Sequence, residues 1–530
     1  MDRSIVLEAI LRPVLDIYDF IYIALPEDFP IVNRICTNLS PRIQVFNVGY
    51  TQSLAHTVNE LLTRVPQSAT AVTVQSGDSY HPPPLQLTDG LGCSRDQFSN
   101  RWVTFDLSTH GRITRFQLPV ISREHALELV FSGRFTVTDV ARFRQDLHDA
   151  ITRARSPHYA LYDGLLRYFN RFSPVPLEES PGWQDFGYLS SYYRFRRNSR
   201  FNERAFNAVT FNEVKKSVTK RSRNPAKLVD EIEWFHHLPH DLRFLTPRVF
   251  ASSTNTADPW LEMEYLASIP LDQIFLYSSC SNEIWNSVLE QMRHILNLFR
   301  SEPPPTHITS HRRRLWTQEM YLKKTLSRLA QYETSAQFAR LLAGCTVNGI
   351  KCLPLELAKE IIREWVESPE FINGFVPAVI HGDLCFSNAL YDMRLDQIRL
   401  VDPRGRFGAK GVWGDQRYDI AKLYHSCHGF YDFYVNGYFD LVPLGPDSWE
   451  LQPLATPQQL QLSRHTSEFV RDLSAMPIAD LLFMEALLFI SMVPLHADKP
   501  GSQTAFLLNG LRLLTEAYES RRGRVGAVSA

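Results

Sequence analysis

The stretch Val379–Tyr391, VIHGDLCFSNALY, and the run Ile398–Gly405 that follows it, IRLVDPRG, decide how the second half of this chain is read. In each, a short apolar run leads to an aspartate. Asn388 stands five residues after Asp383, and Asp402 stands nineteen after it. Two carboxylates and a carboxamide at such spacing can supply one proton acceptor and hard oxygen ligands for a small divalent cation.

Upstream, Phe206–Lys220 (FNAVTFNEVKKSVTK) has strand-like segments, Leu228–Leu238 (LVDEIEWFHHL) repeats apolar residues at helical spacing, and Trp260–Leu266 (WLEMEYL) is a further strand. After Pro303-Pro304-Pro305 the pattern is mainly helical, apart from the region near residue 380. This order predicts a small β-rich lobe over about 200–268 and a larger helical lobe over about 269–520. The apolar run Leu481–Val493 is interrupted by Glu485 and is shorter than the roughly 20 residues of a membrane span, so it reads as a buried helix.

HGDLCFSN together with VDPRG resembles the aminoglycoside phosphotransferase and choline kinase family, whose loop reads H-G-D-x-x-x-x-N. The resemblance implies an α+β protein-kinase-like domain over 196–530 that uses ATP as co-substrate and Mg2+ as cofactor. It implies Asp383 as catalytic base, with His381 in the same catalytic loop holding its shape, and Asn388 and Asp402 as Mg2+ ligands. Such an enzyme also needs a strand lysine paired with a helical glutamate to grip the phosphates. Lys220 and Glu231 fill those positions, with Lys215, Lys216 and Glu233 as competitors read as surface charges. WLEMEYL resembles the strand that contacts adenine, which places Glu264 and Leu266 at the nucleotide. Asp419, in GDQRYDIAKLYH, resembles the aspartate that braces the catalytic loop. The chain has no G-x-G-x-x-G ahead of its lysine strand. His425 and His428 read as core or substrate-facing residues, and His311–Arg314 (HRRR) as a solvated turn.

The first third alternates strand and helix signals. Phe20–Leu25 and Ile43–Val48 read as buried strands, Thr51–Val65 as a helix, and Ala71–Val74 as a strand leading to Gly77-Asp78, a β-α-β unit that ends on an acid. Trp102–Phe116 reads as a hairpin turning near His110-Gly111. Gly77-Asp78, FSGRF (Phe131–Phe135) and WQDFG (Trp183–Gly187) resemble sugar-phosphate nucleotidyltransferases, which implies a Rossmann-like α/β domain over 1–195 and makes Asp78 and Asp185 a metal pair. That family's glycine-rich phosphate loop is missing, so the resemblance implies a degenerate domain. WQDFG, RAFN (Arg204–Asn207) and HGDLCFSN in one chain also resemble bacterial capsule biosynthesis proteins.

With 56 basic and 57 acidic residues the net charge is -1, so no global field draws this chain to nucleic acid or to an anionic membrane. Seven cysteines without a C-x-x-C pair argue against a disulfide framework and for a reducing, cytoplasmic setting, and residues 1–20 carry no signal-peptide pattern. The predicted function is a kinase for a hydroxyl of a small polar metabolite, with the capsule-protein resemblance pointing to surface polysaccharide. A nucleotidyltransferase–kinase fusion and a non-catalytic nucleotide-binding scaffold are the competing readings.

Overall fold

A computed structural model describes residues 6–82, 85, 87–96, 102–119, 128–154, 156–186, 207–278, 280–333 and 344–523. The chain forms two compact units, Asp2–Asn202 and Glu203–Ala530.

In the first unit β1 (Ile21–Leu25) and β2 (Ile43–Asn47) pair in parallel across α1 (Pro30–Leu39), a right-length crossover of Rossmann-like kind. The helix α2 (Leu54–Arg64) and strand β3 (Val72–Gln75) follow as the periodicity predicts. Here β2 pairs with β1, whereas β3 pairs antiparallel with the long strand β8 (Glu128–Val137). Periodicity specifies elements; pairing partners are set by the whole unit. The sheet around β8 is mixed and mostly antiparallel, and its hairpin β6 (Thr104–Leu107) to β7 (Ile113–Gln117) turns at Gly111, whose φ of 68° suits a residue without Cβ. Its core gathers Leu91, Phe135, Phe143, Leu165 and Phe169.

In the second unit a four-stranded antiparallel sheet has the order β11 (Asn207–Asn212), β12 (Ser217–Ser222), β14 (Trp260–Glu264), β13 (Val249–Ser253). After β12, the Asn224 side chain accepts from the Lys227 amide and Pro225 opens α3 (Pro225–His237), two signals that start a helix. The buried residues of α3 include Leu228, Ile232, Trp234 and Phe235, together with the charged Asp230 and Glu231. Trp234 donates its indole N–H to the carbonyl of Ile380 at 2.8 Å, which ties α3 to the segment carrying HGD.

The helical lobe holds that segment between two small antiparallel pairings. Strand β18 (Pro377–Val379) pairs with β23 (Trp413–Asp415), and β19 (Ala389–Asp392) pairs with β20 (Gln397–Leu400). Helix α4 (Gln416–Cys427) has no exposed residue. The predicted helix at 481–493 is α5 (Ile478–Met492), which packs along α6 (Pro500–Arg521). With its continuation to His496 it is long and apolar enough to cross a bilayer, but Leu481, Phe483, Leu487 and Phe489 are buried inside the lobe.

Two details depart from the sequence reading. HRRR opens a helix, Ser310–Thr317, rather than a turn, because Thr309 caps it through the Arg312 amide. The lobe also contains a hairpin, β24 (Phe439–Gly445) to β25 (Ser448–Pro453), in a region read as helical. Pro443 and Gly445 obscure its strand pattern.

Candidate active site

The strand β12 places Lys220 opposite Val209 and Leu261, and α3 brings Glu231 across to it. The Lys220 ammonium lies 2.8 Å from both Glu231 oxygens and 2.9 Å from Oδ1 of Asp402. Burial opposes the lysine charge, but Asp402 and Glu231 outweigh it and hold Lys220 protonated beyond its ordinary range. The three competitors sit on the surface: Lys215 meets Glu262 at 3.3 Å, Lys216 meets Glu213 at 3.0 Å, and Glu233 meets His237 at 3.4 Å.

Asp402 follows β20 in the left-handed region, with φ of 58°. Two residues on, Arg404 donates its amide to the His381 carbonyl at 2.9 Å, so the two predicted motifs are bonded to each other. Gly405, at φ of 70°, packs so closely that an added Cβ would lie 2.0 Å from the Asp230 carbonyl oxygen. Arg406 closes the same joint with a 2.7 Å bond to the Asp230 carboxylate.

Asp419 accepts the amides of His381 and Gly382, both at 2.7 Å, which is the predicted brace on the loop. His381 is buried, and its Nε2–H donates to the Val401 carbonyl at 3.0 Å. Burial pulls its imidazole down to about 4, so it is neutral at pH 7 and serves the loop's shape. Asn388 donates to the Asp383 carbonyl at 2.8 Å and to Oδ2 of Asp383 at 3.2 Å. Oδ1 of Asp383 meets the Lys422 ammonium at 2.8 Å. Asp383, Asn388, Asp402, Lys220 and Glu231 therefore form one constellation, linked in two chains of contacts that meet where the Arg404 amide meets His381.

Lys422 was not singled out in the sequence. It stands three residues after Asp419, one helical turn along α4, so both point to the same loop. Burial disfavours its charge, yet Asp383, with Tyr418 and other neighbours, keeps it protonated beyond the ordinary lysine range. Tyr418, next to Asp419, is buried. Its hydroxyl lies 3.0 Å from Lys324 and 3.5 Å from Arg404. Of the adenine-strand residues, Glu264 ends β14 and contacts Arg399 at 3.1 Å, while Leu266 lies in the link that leaves the sheet. His428 donates its Nδ1–H to the Glu485 carboxylate at 2.8 Å, and His425 is buried against Tyr431 and Phe489; neither belongs to a metal-binding group among the described residues.

The donor set suits Mg2+. Asp402 is a half-buried carboxylate, and because Asn388 spends its N–H on Asp383, Oδ1 is the atom it would turn to a cation. Mg2+ takes one or two protein oxygens and completes its shell with phosphates and water. Among the described residues no group of three or more His, Cys, Asp or Glu is arranged around a metal.

In the first unit Asp185 and Ser79 are opposed across a short antiparallel pair, and the Phe186 amide donates to the Asp78 carbonyl at 2.7 Å. Asp78 and Asp185 are thus brought together: burial and then the Asp185 charge raise Asp78. Asp185 also accepts the indole N–H of Trp102. Gly187 and Arg204–Phe206 of the quoted motifs lie outside the described residues.

A profile of the phosphotransferase enzyme family matches residues 183–449, just over half of the chain. Among solved structures, aminoglycoside phosphotransferase APH(3'')-Id from Streptomyces rimosus, in complex with ADP and streptomycin, is 14% identical over 62% of this chain and 98% of its own, with a TM-score of 0.32. The streptomycin-ATP-APH(2")-IIa ternary complex is 12% identical over 59% of this chain and 91% of its own, at 0.35. CTP:phosphocholine cytidylyltransferase from Streptococcus pneumoniae is 8% identical over 37% of this chain and 86% of its own, at 0.31. Likenesses of this size carry no functional argument. No curated protein matches the sequence.

Proposed function

Since this chain belongs to the phosphotransferase enzyme family, we propose that its second unit transfers the γ-phosphoryl group of ATP to a hydroxyl of a small polar metabolite. One observation carries the reading: residues 182 positions apart in sequence, Lys220 and Asp402, meet at 2.9 Å, with Glu231 behind the lysine and Asp383 and Asn388 on the adjoining loop.

Each residue then has a definite task. Asp383, held between Lys422 and Asn388, accepts the proton of the attacking hydroxyl. Lys220, aimed by Glu231, grips the α and β phosphates once nucleotide displaces it from Asp402. Asn388 and Asp402 would hold Mg2+, which when bound neutralises charge on the β and γ phosphates. His381 and Asp419 keep the loop in register, and the link through Glu264 and Leu266 faces adenine.

The motif combination in WQDFG, RAFN and HGDLCFSN supports placing the reaction in surface polysaccharide assembly. The seven free cysteines suit a cytoplasmic enzyme. The reading is tested by screening hydroxyl-bearing metabolites for acceptor-dependent ADP formation from ATP. Acceptor-stimulated ADP release with a phosphorylated product supports it. Tight ATP binding with no transfer to any member of the panel would support the scaffold reading instead.

A further inference from the structure

Interior cations of the second unit are matched: Arg417 by Asp415 at 2.7 Å, Lys220 by Glu231 at 2.8 Å, Lys422 by Asp383 at 2.8 Å. Three half-buried ones around Asp383 are not. Lys324, Arg328 and Arg404 make no ion pair among the described residues. Lys324 bonds the Tyr418 hydroxyl at 3.0 Å and lies 4.9 Å over its ring, while Arg404 reaches the same hydroxyl at 3.5 Å. Arg328 is anchored by one N–H on the Ser491 carbonyl at 3.0 Å.

Arg404 is held beside Asp383 by close packing, and Arg328 is near enough for the Asp383 charge to act on it. The Arg404 stem lies against Gly382, where an added Cβ would stand 2.8 Å from its Cβ, and Gly382 immediately precedes Asp383. Lys324 and Arg328 are one helical turn apart on Lys324–Tyr332, which continues from a π-helical segment, Gln318–Lys323. Such segments often occur at functional sites. The mutual strain is visible in the groups themselves. Burial and Arg404 bring Lys324 down to about 8 despite the opposing pull of Tyr418. Burial would raise Tyr418, but Lys324, Arg404 and Lys422 bring it down to about 7.

Asp383 favours the Arg328 charge but is itself paired with Lys422, so three cations gathered beside it carry an excess of positive charge that costs stability. They do make a focused positive field beside the proton acceptor, which raises the local concentration of anions and can chelate one. We propose that the phosphoryl acceptor is itself an anion, a hydroxyl-bearing phosphomonoester or carboxylate whose oxyanion seats among Lys324, Arg328 and Arg404. This rests on the kinase reading above and narrows its acceptor. The acceptor hydroxyl attacks the γ phosphorus, its O–H proton passes to Asp383, the new O–P bond forms as the bond to the β–γ bridging oxygen breaks, and ADP leaves. Cationic acceptors such as amino alcohols and aminated sugars are excluded by the same charges.

The test compares four acceptors with the full chain, ATP and Mg2+: a free hexose, its 6-phosphate, the matching uronic acid, and a quaternary ammonium alcohol. At least one anionic acceptor should exceed the neutral hexose in kcat/KM by about tenfold to a hundredfold, the scale of one or two charge-assisted hydrogen bonds. Phosphate and carboxylate arms tell which oxyanion is used. Lys324→Met and Arg328→Gln should each remove most of that preference through acceptor KM. Arg328→Gln keeps the test open if Lys324→Met unfolds. Preference for the neutral or cationic acceptor, or an anion preference unchanged in both variants, would overturn the proposal. Calorimetric titration of inorganic phosphate into the protein saturated with Mg-ADP separates the two claims, because it needs no catalysis. Phosphate binding lost in the variants upholds the anion site even if no transfer is found; equal binding in parent and variants overturns it even if transfer is.

Discussion

Lys220→Met removes one ammonium and leaves a stem of similar length in a place where two carboxylates converge. Lys220 and Glu231 side chains are each 6% exposed and their contacts measure 2.8 Å, so the pair is an interior one. Breaking such a pair from one side strands a buried charge and costs about 3–5 kcal/mol, whereas an exposed pair contributes about 0–1 kcal/mol. The exposed pair Lys216–Glu213, at 3.0 Å, supplies the control. Urea unfolding of parent, Lys220→Met and Lys216→Met should therefore give a large loss for the first variant and almost none for the second. A double variant, Lys220→Met with Glu231→Leu, removes both buried charges and fills the space, and it should regain at least half of the loss because Asp402 can turn to solvent. Its phosphoryl transfer should stay as low as that of Lys220→Met, since neither retains a phosphate grip. A loss under about 1 kcal/mol for Lys220→Met, or a double variant no more stable than the single, would refute the buried-pair argument.

Gly405→Ala places a methyl 2.0 Å from the Asp230 carbonyl oxygen and 2.9 Å from the Glu231 amide nitrogen. It should push α3 away, destabilise the unit and lower activity, measured by urea midpoint and turnover together; a silent substitution would contradict that contact. Tyr418 should ionise near pH 7 in ultraviolet difference titration, and Lys324→Met should move the transition upward. Its folded pKa lies below the unfolded one, so the associated stability is complete above about pH 10 and is lost as pH falls through about 7; a transition near 10 in both proteins would remove the cluster's electrostatic basis. Asp402→Ala should abolish transfer at every Mg2+ concentration, and an effect confined to acceptor KM would place Asp402 among acceptor contacts instead.

What the sequence revealed was mostly local. HGDLCFSN and VDPRG each read as a unit because spacing within a loop is set by the chain itself, and the structure joins them through Arg404 and His381. The Lys220–Glu231 pair was legible through its place in the family pattern, a lysine on a strand and a glutamate on the helix that follows it, and the structure leaves Lys215, Lys216 and Glu233 in ion pairs apart from it. Lys324 and Arg328 were illegible for the opposite reason. Lys324 reaches Tyr418, and Arg328 feels the Asp383 charge, from a helix more than fifty residues upstream, and a basic residue on an amphipathic helix looks the same whether it faces water or a site. Arg404 lay in view within VDPRG, yet only the packing on Gly382 shows where its stem goes. In the first unit the elements were readable and the pairing was not, because β3 joins β8 through contacts sixty residues apart.

The most direct measurement is the turnover of Asp383→Asn with Mg-ATP and the acceptor identified by the screen, alongside equilibrium binding of ADP. Asparagine keeps the shape that Asn388 and Lys422 surround while losing the capacity to take a proton. Turnover should fall at least ~100-fold with ADP binding within about twofold of the parent. Near-normal turnover in this variant would contradict the assignment of Asp383 as the base.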